Sequence, residues 1–303
     1  MCRTRAPGIG KHVALDFARR NARVILACRS RERGQEAVDE IKRKTRNKNV
    51  ILSVLDTSSM ASVRAFAERT LKEEKRLDIL VNNAGASGAV LRHTQTREAE
   101  RRGQTAVGLP YSITPEGLEA SFATNHLGPF LLTHLLLDLL KRTAPSRIVF
   151  LSSFMHGQGT IDTSNLWGKN MEKYYMNVAY NCTKLMNTIC AKEFANRLEG
   201  TGVQVNSVNP GIVRTSAIRH YHFLIQFIFN VIGWFFFKSA EEGATSTIYC
   251  CVSEEAEGLN GKYIDSDCTI ALPSEKTHDP AINRKLWEAC ESATGLNSQL
   301  GKS

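Results

Sequence analysis

Short apolar runs alternate with longer amphipathic segments along most of this chain. The predicted strands cover residues 23–27, 49–55, 77–82, 147–152, 203–208 and 261–264. The predicted helices cover residues 11–21, 31–45, 60–74, 117–141, 178–198 and 240–251. Strands that alternate with helices form parallel sheets covered on both faces. The pattern therefore predicts an α/β fold with a single doubly wound, Rossmann-type parallel sheet and no separate substrate domain.

Tyr180 and Lys184 lie on the same face of the predicted helix 178–198, since residues four apart on a helix are neighbours. A free tyrosine titrates near ~10, and a nearby cation favours its ionised form. The pair therefore has the chemistry of a proton donor with an activating partner. Tyr-x-x-x-Lys also recurs by chance in helix-rich chains, so the pair alone is weak evidence.

Four further segments occur in an order that gives the pair more weight. They are Pro7-Gly8-Ile9-Gly10-Lys11, Asn82-Asn83-Ala84-Gly85, Leu151-Ser152-Ser153 and Asn209-Pro210-Gly211. With Tyr180 and Lys184, this order resembles the short-chain dehydrogenase/reductase family and, within it, the retinol dehydrogenase-like group. The resemblance runs from about Gly8 to about Gly295. It implies one domain over 1–303, with a cofactor half at about 1–150 and a catalytic and substrate half at about 151–303.

The resemblance implies an NADP(H)-dependent oxidoreductase that interconverts a lipophilic alcohol and its aldehyde or ketone, similar to retinol and retinal. Two other functions stay open: a catalytically impaired relative that acts as a binding or scaffold protein, and a reductase of sterol or xenobiotic carbonyls. The implied catalytic residues are Asn125, Ser153, Tyr180 and Lys184. Ser152 is the rival of Ser153, and a strand-end serine or a buried structural asparagine would also account for these positions.

The resemblance also implies a set of cofactor-binding residues. They are Gly8, Ile9, Gly10, Arg29, Asp56, Asn83, Ala84, Gly85, Tyr180, Lys184, Pro210, Gly211, Ile212 and Thr215. Arg29 stands where an acidic residue would bind an NAD ribose, so the sequence predicts NADP instead, with help from Arg33 or Lys11. A solvated arginine at Arg29 and an ordinary helix N-cap at Asp56 are the structural alternatives.

Two parts of the chain depart from the family pattern. Residues 1–7 do not read as the strand that should precede the glycine turn, and the first glycine of that turn would fall near Thr4. A missing first strand, which belongs near the middle of the sheet, would leave its neighbours unpaired. A truncated or misassembled start and a true variant with weakened cofactor affinity both explain this. Residues 92–105 form a polar stretch, either a surface insertion or an assembly artefact.

Composition narrows the function further. The formal net charge is +9, which suits a phosphorylated cofactor or an anionic membrane surface. Nucleic acid is disfavoured as a partner, because the basic residues are scattered and no zinc-finger or RNA-binding motif accompanies them. The eight cysteines and eight histidines show no metal-ligand spacing, so we expect a reduced intracellular chain without a metal.

Residues 221–237 are rich in aromatic and aliphatic side chains, with His222, Gln226 and Asn230 among them. The segment is at the lower limit for a membrane span, so a lid that covers the substrate or dips into a bilayer is the favoured prediction. A plain core helix is the alternative. This surface favours a lipophilic substrate. A membrane of the endoplasmic reticulum or mitochondrion, the cytoplasm, and a homo-oligomeric state all remain open.

Overall fold

The computed structural model describes residues 8–85, 111–162, 164–166, 176–213 and 237–297. The strands are β1 Val24–Cys28, β2 Val50–Val54, β3 Ile79–Asn82, β4 Ser146–Leu151, β5 Val203–Val208, β6 Tyr263–Ile264 and β7 Ile270–Ala271. The main helices are α1 Ile9–Arg19, α2 Arg31–Thr45, α3 Met60–Glu73, α4 Gly128–Thr143, α5 Met176–Arg197, α6 Thr245–Val252 and α7 Pro280–Ala293. Residues 1–7, the 92–105 stretch, Thr215 and the 221–236 part of the aromatic segment lie outside the described residues.

The strands form two sheets, with helices packed against them. Strands β1 and β2 pair in parallel. The larger sheet has the order β3-β4-β5-β6-β7, in which only β7 is antiparallel to its neighbour. This confirms the predicted α/β fold with a parallel sheet. None of the helices in the described ranges combines the length and apolar character needed to cross a bilayer.

The strands in the described ranges do not form one continuous sheet. Within the part of the chain that the structure describes, β1 pairs only with β2, and β3 pairs only with β4. Three of the four β3 side chains are half-buried, whereas all but one of the six in β4 are buried. A doubly wound sheet would place a strand beside both open edges. Among the described residues these edges carry no partner strand, and the missing first strand stays a prediction.

Helix α1 contacts both sheets. Ala14, Leu15 and Ala18 belong to the apolar cluster that β1 and β2 form with α2. Ile9 and Phe17 pack against a second cluster, which includes residues of β4, β5 and α6. Apolar side chains on several faces of α1 are therefore covered, and the helix joins the two parts of the molecule across the interruption.

The largest core lies between the five-stranded sheet and helices α3, α4, α5 and α7. Phe130, Phe194 and Trp287 form its centre, with ring centroids 5.4 Å apart for Phe130 and Phe194 and 4.7 Å for Phe194 and Trp287. Tilted and edge-to-face rings at this spacing add to the stabilisation from burial. This core fixes α5, which carries the Tyr-x-x-x-Lys pair, against the sheet.

The predicted helix 117–141 is divided in the structure. It begins as the short helical turn Ala120–Phe122, widens into a π-helical turn at Ala123–Leu127 and continues as α4. At its junction with α4, the backbone approaches the loop after β2 so closely that a Cβ on Gly128 would lie 2.0 Å from the Thr57 carbonyl oxygen. Only glycine permits this approach.

We expect Gly128→Ala to lower the free energy of unfolding by about 3 kcal/mol, because the added methyl meets backbone atoms that must move. Gly157→Ala is the matched control, since a Cβ there meets no atom within 4 Å. Urea denaturation followed by circular dichroism measures both. Equal midpoints for the two variants would contradict the close approach.

Candidate active site

Ser153 and Tyr180 meet at the carboxyl end of β4. Ser153 is buried and its hydroxyl accepts a hydrogen bond from the backbone N–H of Met155, 3.2 Å away, at the start of the 3₁₀ turn Phe154–Gln158. A hydrogen bond joins the side chains of Ser153 and Tyr180. A hydroxyl and a phenol are thus paired at the edge of the sheet where ligands bind in α/β folds.

His156 holds the Ser153 turn in place. Its Nε2 accepts a hydrogen bond from the backbone N–H of Ser274 at 3.0 Å, so Nδ1 carries the proton and donates to the Ser153 carbonyl oxygen at 2.7 Å. Burial lowers the pKa of His156, although the bond to Ser153 opposes this. A neutral imidazole therefore links the turn to the C-terminal part of the chain, a role that sequence reasoning missed.

Ser152 faces the interior. Its hydroxyl lies 3.0 Å from the Lys184 carbonyl oxygen and 2.7 Å from the hydroxyl of Thr188, both on α5. Successive residues of a strand point to opposite faces, which separates the two serines. Of the two, Ser153 is the one bonded to the Tyr180 side chain.

Lys184 is buried beneath Tyr180. Its Nζ lies 5.4 Å from the centre of the tyrosine ring and donates to the Leu151 carbonyl oxygen at 2.8 Å. Burial lowers the pKa of Lys184 to about 8. Burial raises the pKa of Tyr180, against the opposing effect of its bond to Ser153. Desolvation is the largest influence on this tyrosine in the protein alone. The lowering of its pKa by Lys184 stays a prediction.

Asn125 lies in the π-helical turn and is fully buried. Its amide nitrogen donates to the Thr183 hydroxyl at 3.3 Å, and its backbone carbonyl accepts from Nδ2 of Asn187 at 3.0 Å. The same Asn187 nitrogen lies 3.3 Å from the Leu151 carbonyl oxygen, to which Lys184 also donates. π-helical turns recur at functional sites. Asn187, which sequence reasoning missed, lies three residues beyond Lys184 and one helical turn along the same face.

The glycine turn and the segment after β3 lie close together. A Cβ on Gly10 would lie 2.7 Å from Nδ2 of Asn83, and one on Gly85 would lie 3.2 Å from Nζ of Lys184. A Cβ on Gly8 would meet none of the described atoms within 4 Å, and Gly8, the N-cap of α1, has no side chain that could cap the helix. Helix N-termini of this kind favour anions.

The side chain of Asn83 has a hydrogen-bond acceptor that is unsatisfied among the described residues. Its Oδ1 is buried and has no hydrogen-bond partner among the described residues. An unpartnered buried acceptor is costly and calls for a donor. Beside the first turn of α1, this acceptor suits a cofactor that carries hydroxyl groups and phosphates, so the residues present fit a dinucleotide. Ala84 is half-buried next to it, and Ile9 packs on the other side toward Gly243.

Arg29 and Lys11 differ in whether an acidic side chain already pairs with them. Arg29 is exposed and forms no ion pair with another residue of the described ranges. Lys11 is paired with Glu40. Hydrogen bonds from Lys11 and Lys44 lower the pKa of Glu40 to about 2. Of these two, Arg29 is the one without an ion-pair partner in the described ranges, and Arg33 is likewise exposed and outside the ion pairs found there.

Asp56 does not cap α3. Its Oδ1 accepts from the backbone N–H of Ser58 at 3.0 Å and from the Ser58 hydroxyl at 2.6 Å. The N-cap of α3 is Ser59, whose hydroxyl accepts from the backbone N–H of Ser62. The alternative prediction, that Asp56 is the N-cap of this helix, is therefore wrong, because Asp56 closes a turn just before the N-cap.

Asn209 organises the loop after β5. Its Oδ1 accepts from the backbone N–H of Phe154 at 3.2 Å and from that of Gly211 at 3.0 Å. Gly211 has φ +77°, a conformation that glycine adopts most easily. Ile212 is 49% exposed, next to Gly211. Asn209 therefore ties the Ser153 turn to the 210–212 loop, and only its place in the Asn-Pro-Gly motif hinted at this.

Comparisons with known proteins agree with this geometry. The profile of the family described as short chain dehydrogenase matches residues 4–222. The chain is 40% identical over 304 residues to human retinol dehydrogenase 14, covering 95% of this chain and 84% of that protein. It is 42% identical over 286 residues to bovine retinol dehydrogenase 12, covering 94% and 82%.

Solved structures share the fold. An uncharacterized protein from Mycobacterium paratuberculosis superposes with a TM-score of 0.70 at 26% identity, covering 95% of this chain and 90% of that one. L-sorbose reductase from Gluconobacter frateurii, complexed with NADPH and L-sorbose, has a TM-score of 0.62 at 20% identity, covering 85% and 90%. The chain belongs to the short-chain dehydrogenase family and to its retinol dehydrogenase-like group, and it is an oxidoreductase that uses a nicotinamide cofactor.

Proposed function

We propose that this protein is an NADP(H)-dependent oxidoreductase that interconverts a lipophilic alcohol of the retinoid class and its carbonyl form. The observation that carries the proposal is the arrangement of Ser153, Tyr180 and buried Lys184 on one side of the sheet edge. The names of the relatives at about 40% identity support the substrate class.

The three side chains have distinct roles in this proposal. When bound, NADP(H) supplies the hydride chemistry. Ser153 and Tyr180, already hydrogen-bonded to each other, both bind the substrate oxygen, and Tyr180 passes the proton. Lys184 stabilises the ionised tyrosine once water is excluded, since an ammonium acts more strongly in a dry site. Asn125 extends the proton path from Lys184 toward solvent, with Asn187 as its support.

The predicted cofactor-binding residues are each assigned a part of the cofactor. The N-terminus of α1, with Gly8, Ile9 and Gly10, binds the pyrophosphate. Arg29 binds the 2′-phosphate, which selects NADP over NAD. The unpartnered Oδ1 of Asn83 accepts from a ribose hydroxyl. The remaining proposed contacts are Asp56, Ala84 and Gly85 toward the adenosine, and Pro210, Gly211, Ile212 and Thr215 toward the nicotinamide and phosphates.

We expect Arg29→Glu to weaken NADPH binding by about 10- to 100-fold, because a charge-assisted hydrogen bond contributes about 1.5–3 kcal/mol. NADH binding should not weaken, since an acidic residue at this position can bind the ribose hydroxyls of NADH. Fluorescence titration with both cofactors measures the difference. Arg142→Glu is the control, since it makes the same charge change at an exposed position in the last turn of α4. A similar loss of NADPH affinity in both variants would show that net charge, not Arg29, is responsible.

The experiment that tests the function is a titration of the chain with NADPH and NADH, with turnover of retinal measured in the same samples. Tight NADPH binding with turnover supports the proposal. A folded protein that binds neither cofactor would favour the other candidate, a binding or scaffold protein. Within the described residues β1 pairs only with β2 and β3 only with β4, and this observation favours the second candidate. Turnover of sterol or xenobiotic carbonyls in place of retinal would revise the substrate alone.

The wider organisation is also a proposal. We infer one short-chain dehydrogenase domain over 1–303, with the cofactor half before about residue 150. The 221–237 segment supplies the lipophilic face that covers the substrate or touches a membrane surface, which is consistent with an intracellular, membrane-associated protein. Self-association of the chain is the remaining part of the proposal.

A further inference from the structure

Three side chains with soft or borderline donor atoms meet in the main core, away from Tyr180. His126 lies in the π-helical turn, Cys190 on α5 and Cys290 on α7, and each is at most 1% exposed. Nε2 of His126 lies 3.2 Å from the Cys290 sulfur and 3.9 Å from the Cys190 sulfur. All three donor atoms lie within 4.8 Å of one another. These residues are distant in sequence, so their spacing gives no motif.

The histidine is held in the form that metal ligands require. Nδ2 of Asn187 faces two carbonyl oxygens, which leaves its Oδ1 facing Nδ1 of His126 at 2.8 Å. Since Oδ1 can only accept, Nδ1 carries the proton and Nε2 presents its lone pair to the two sulfurs. Metal-bound histidines characteristically donate their second ring N–H to such an acceptor.

Two sulfurs and one ring nitrogen thus face one another inside the core. This set of donors suits soft, thiophilic cations.

We propose that His126, Cys190 and Cys290 bind one d¹⁰ metal ion, Zn²⁺ or Cu⁺, through two sulfurs and one ring nitrogen. Zinc bonds of about 2.3 Å to sulfur and about 2.0–2.1 Å to nitrogen span N-to-S separations up to about 4.4 Å. The two separations observed fall inside that limit. Little movement of the side chains is needed.

The ion can be buried at low energetic cost because its ligands balance its charge. Two thiolates and a neutral imidazole leave Zn²⁺ with no net charge, and one thiolate with one thiol does the same for Cu⁺. A neutral complex avoids most of the cost of placing an ion in an apolar core. Three donors suffice for Cu⁺, whereas Zn²⁺ would add a small fourth ligand.

The ion would bind only the folded chain, because the three ligands come from three separate elements. It would therefore connect the π-helical turn, α5 and α7. Asn187 bonds both His126 and the backbone of Asn125, so the metal site lies next to the proposed proton path without being part of it. The alternative is that the three side chains form a sulfur–nitrogen hydrogen bond and only fill space in the core.

The test uses the full chain, stripped with a chelator and kept reduced with a phosphine rather than a thiol. Co²⁺ serves as the spectroscopic probe for zinc, through sulfur-to-metal charge-transfer and ligand-field bands. Cu⁺ is titrated against a coloured Cu⁺ chelator. We expect one equivalent of one of the two ions to bind and to raise Tm by several degrees, since a ligand that binds only the folded state stabilises it.

Cys290→Ser and Cys190→Ser should each weaken binding by about 100-fold or more, because each removes a direct ligand. Cys251→Ser is the control, since that cysteine is just as buried but belongs to another cluster. Circular dichroism checks that each variant folds. The proposal is overturned if the unaltered chain takes up neither ion, if Cys290→Ser binds as tightly as the unaltered chain, or if mass spectrometry finds a disulfide and the reduced form binds no metal.

Discussion

Tyr180→Phe is expected to lower turnover by about 1,000-fold, within the range for loss of a positioned acid-base group. The change removes one oxygen atom from a ring packed over Lys184 and bonded to Ser153, so the fold should survive. NADPH affinity should stay within about threefold, because the phenol acts on the transition state rather than on cofactor binding. Single-turnover rates with retinal measure the first quantity, and fluorescence titration measures the second.

Tyr249→Phe is the matched control, since Tyr249 lies on α6, outside the candidate site. It should leave the rate unchanged. A Tyr180→Phe protein that keeps its rate would remove Tyr180 from the reaction and with it the basis of the proposed mechanism. A Tyr180→Phe protein that loses cofactor binding would show that the phenol contributes to holding the cofactor, the other role that the sequence predicts for it.

Lys184→Met is expected to have two opposite effects: turnover falls by at least about 100-fold, and the protein becomes more stable at neutral pH. Lys184 is fully buried and its pKa is lowered to about 8 from an ordinary value of 10.5. Between these values the unfolded chain holds the proton and the folded chain releases it, so stability rises with pH. Below pH 8 the cost of the buried ammonium is fully present, about 3 kcal/mol.

Methionine removes that cost, so Lys184→Met should raise the urea midpoint at pH 7 and lose most of this advantage near pH 10. Lys192→Met, on the same helix but half-buried, should show no such dependence on pH. A Lys184→Met protein that is less stable than the unaltered chain at pH 7 would mean that the bond to the Leu151 carbonyl outweighs the desolvation of the ammonium.

The fold was largely predictable from hydrophobic pattern. The strand 203–208 was predicted with the bounds that the structure has, and α2 likewise. The two-residue β7 is too short to produce a pattern. Helix α7 was missed although a signal existed: Asp279 caps it, accepting from the backbone N–H groups of Ala281 and Ile282, and Pro280 occupies its first turn. Asp-Pro before an amphipathic run is a helix start.

The candidate site was predicted less completely, because several of its features depend on distant contacts. The sequence could not decide whether Ser152 or Ser153 is the catalytic serine. Only the opposite directions in which their side chains leave β4 distinguish them. The π-helical turn that carries Asn125 lies just before a close approach to Thr57, which no local pattern encodes. The lowered pKa of Lys184 likewise follows from tertiary burial.

In the proposed function, the contacts of helix α1 would couple the two sheets to the cofactor. The helix holds the two sheets together through Ile9 and Phe17 on one side and Ala14 and its neighbours on the other. The same helix offers its first turn to the pyrophosphate in the proposed function. If the two sheets separate, the nucleotide loses part of its site and is released. A higher nucleotide concentration would therefore lower the fraction of molecules in which the two sheets are separated.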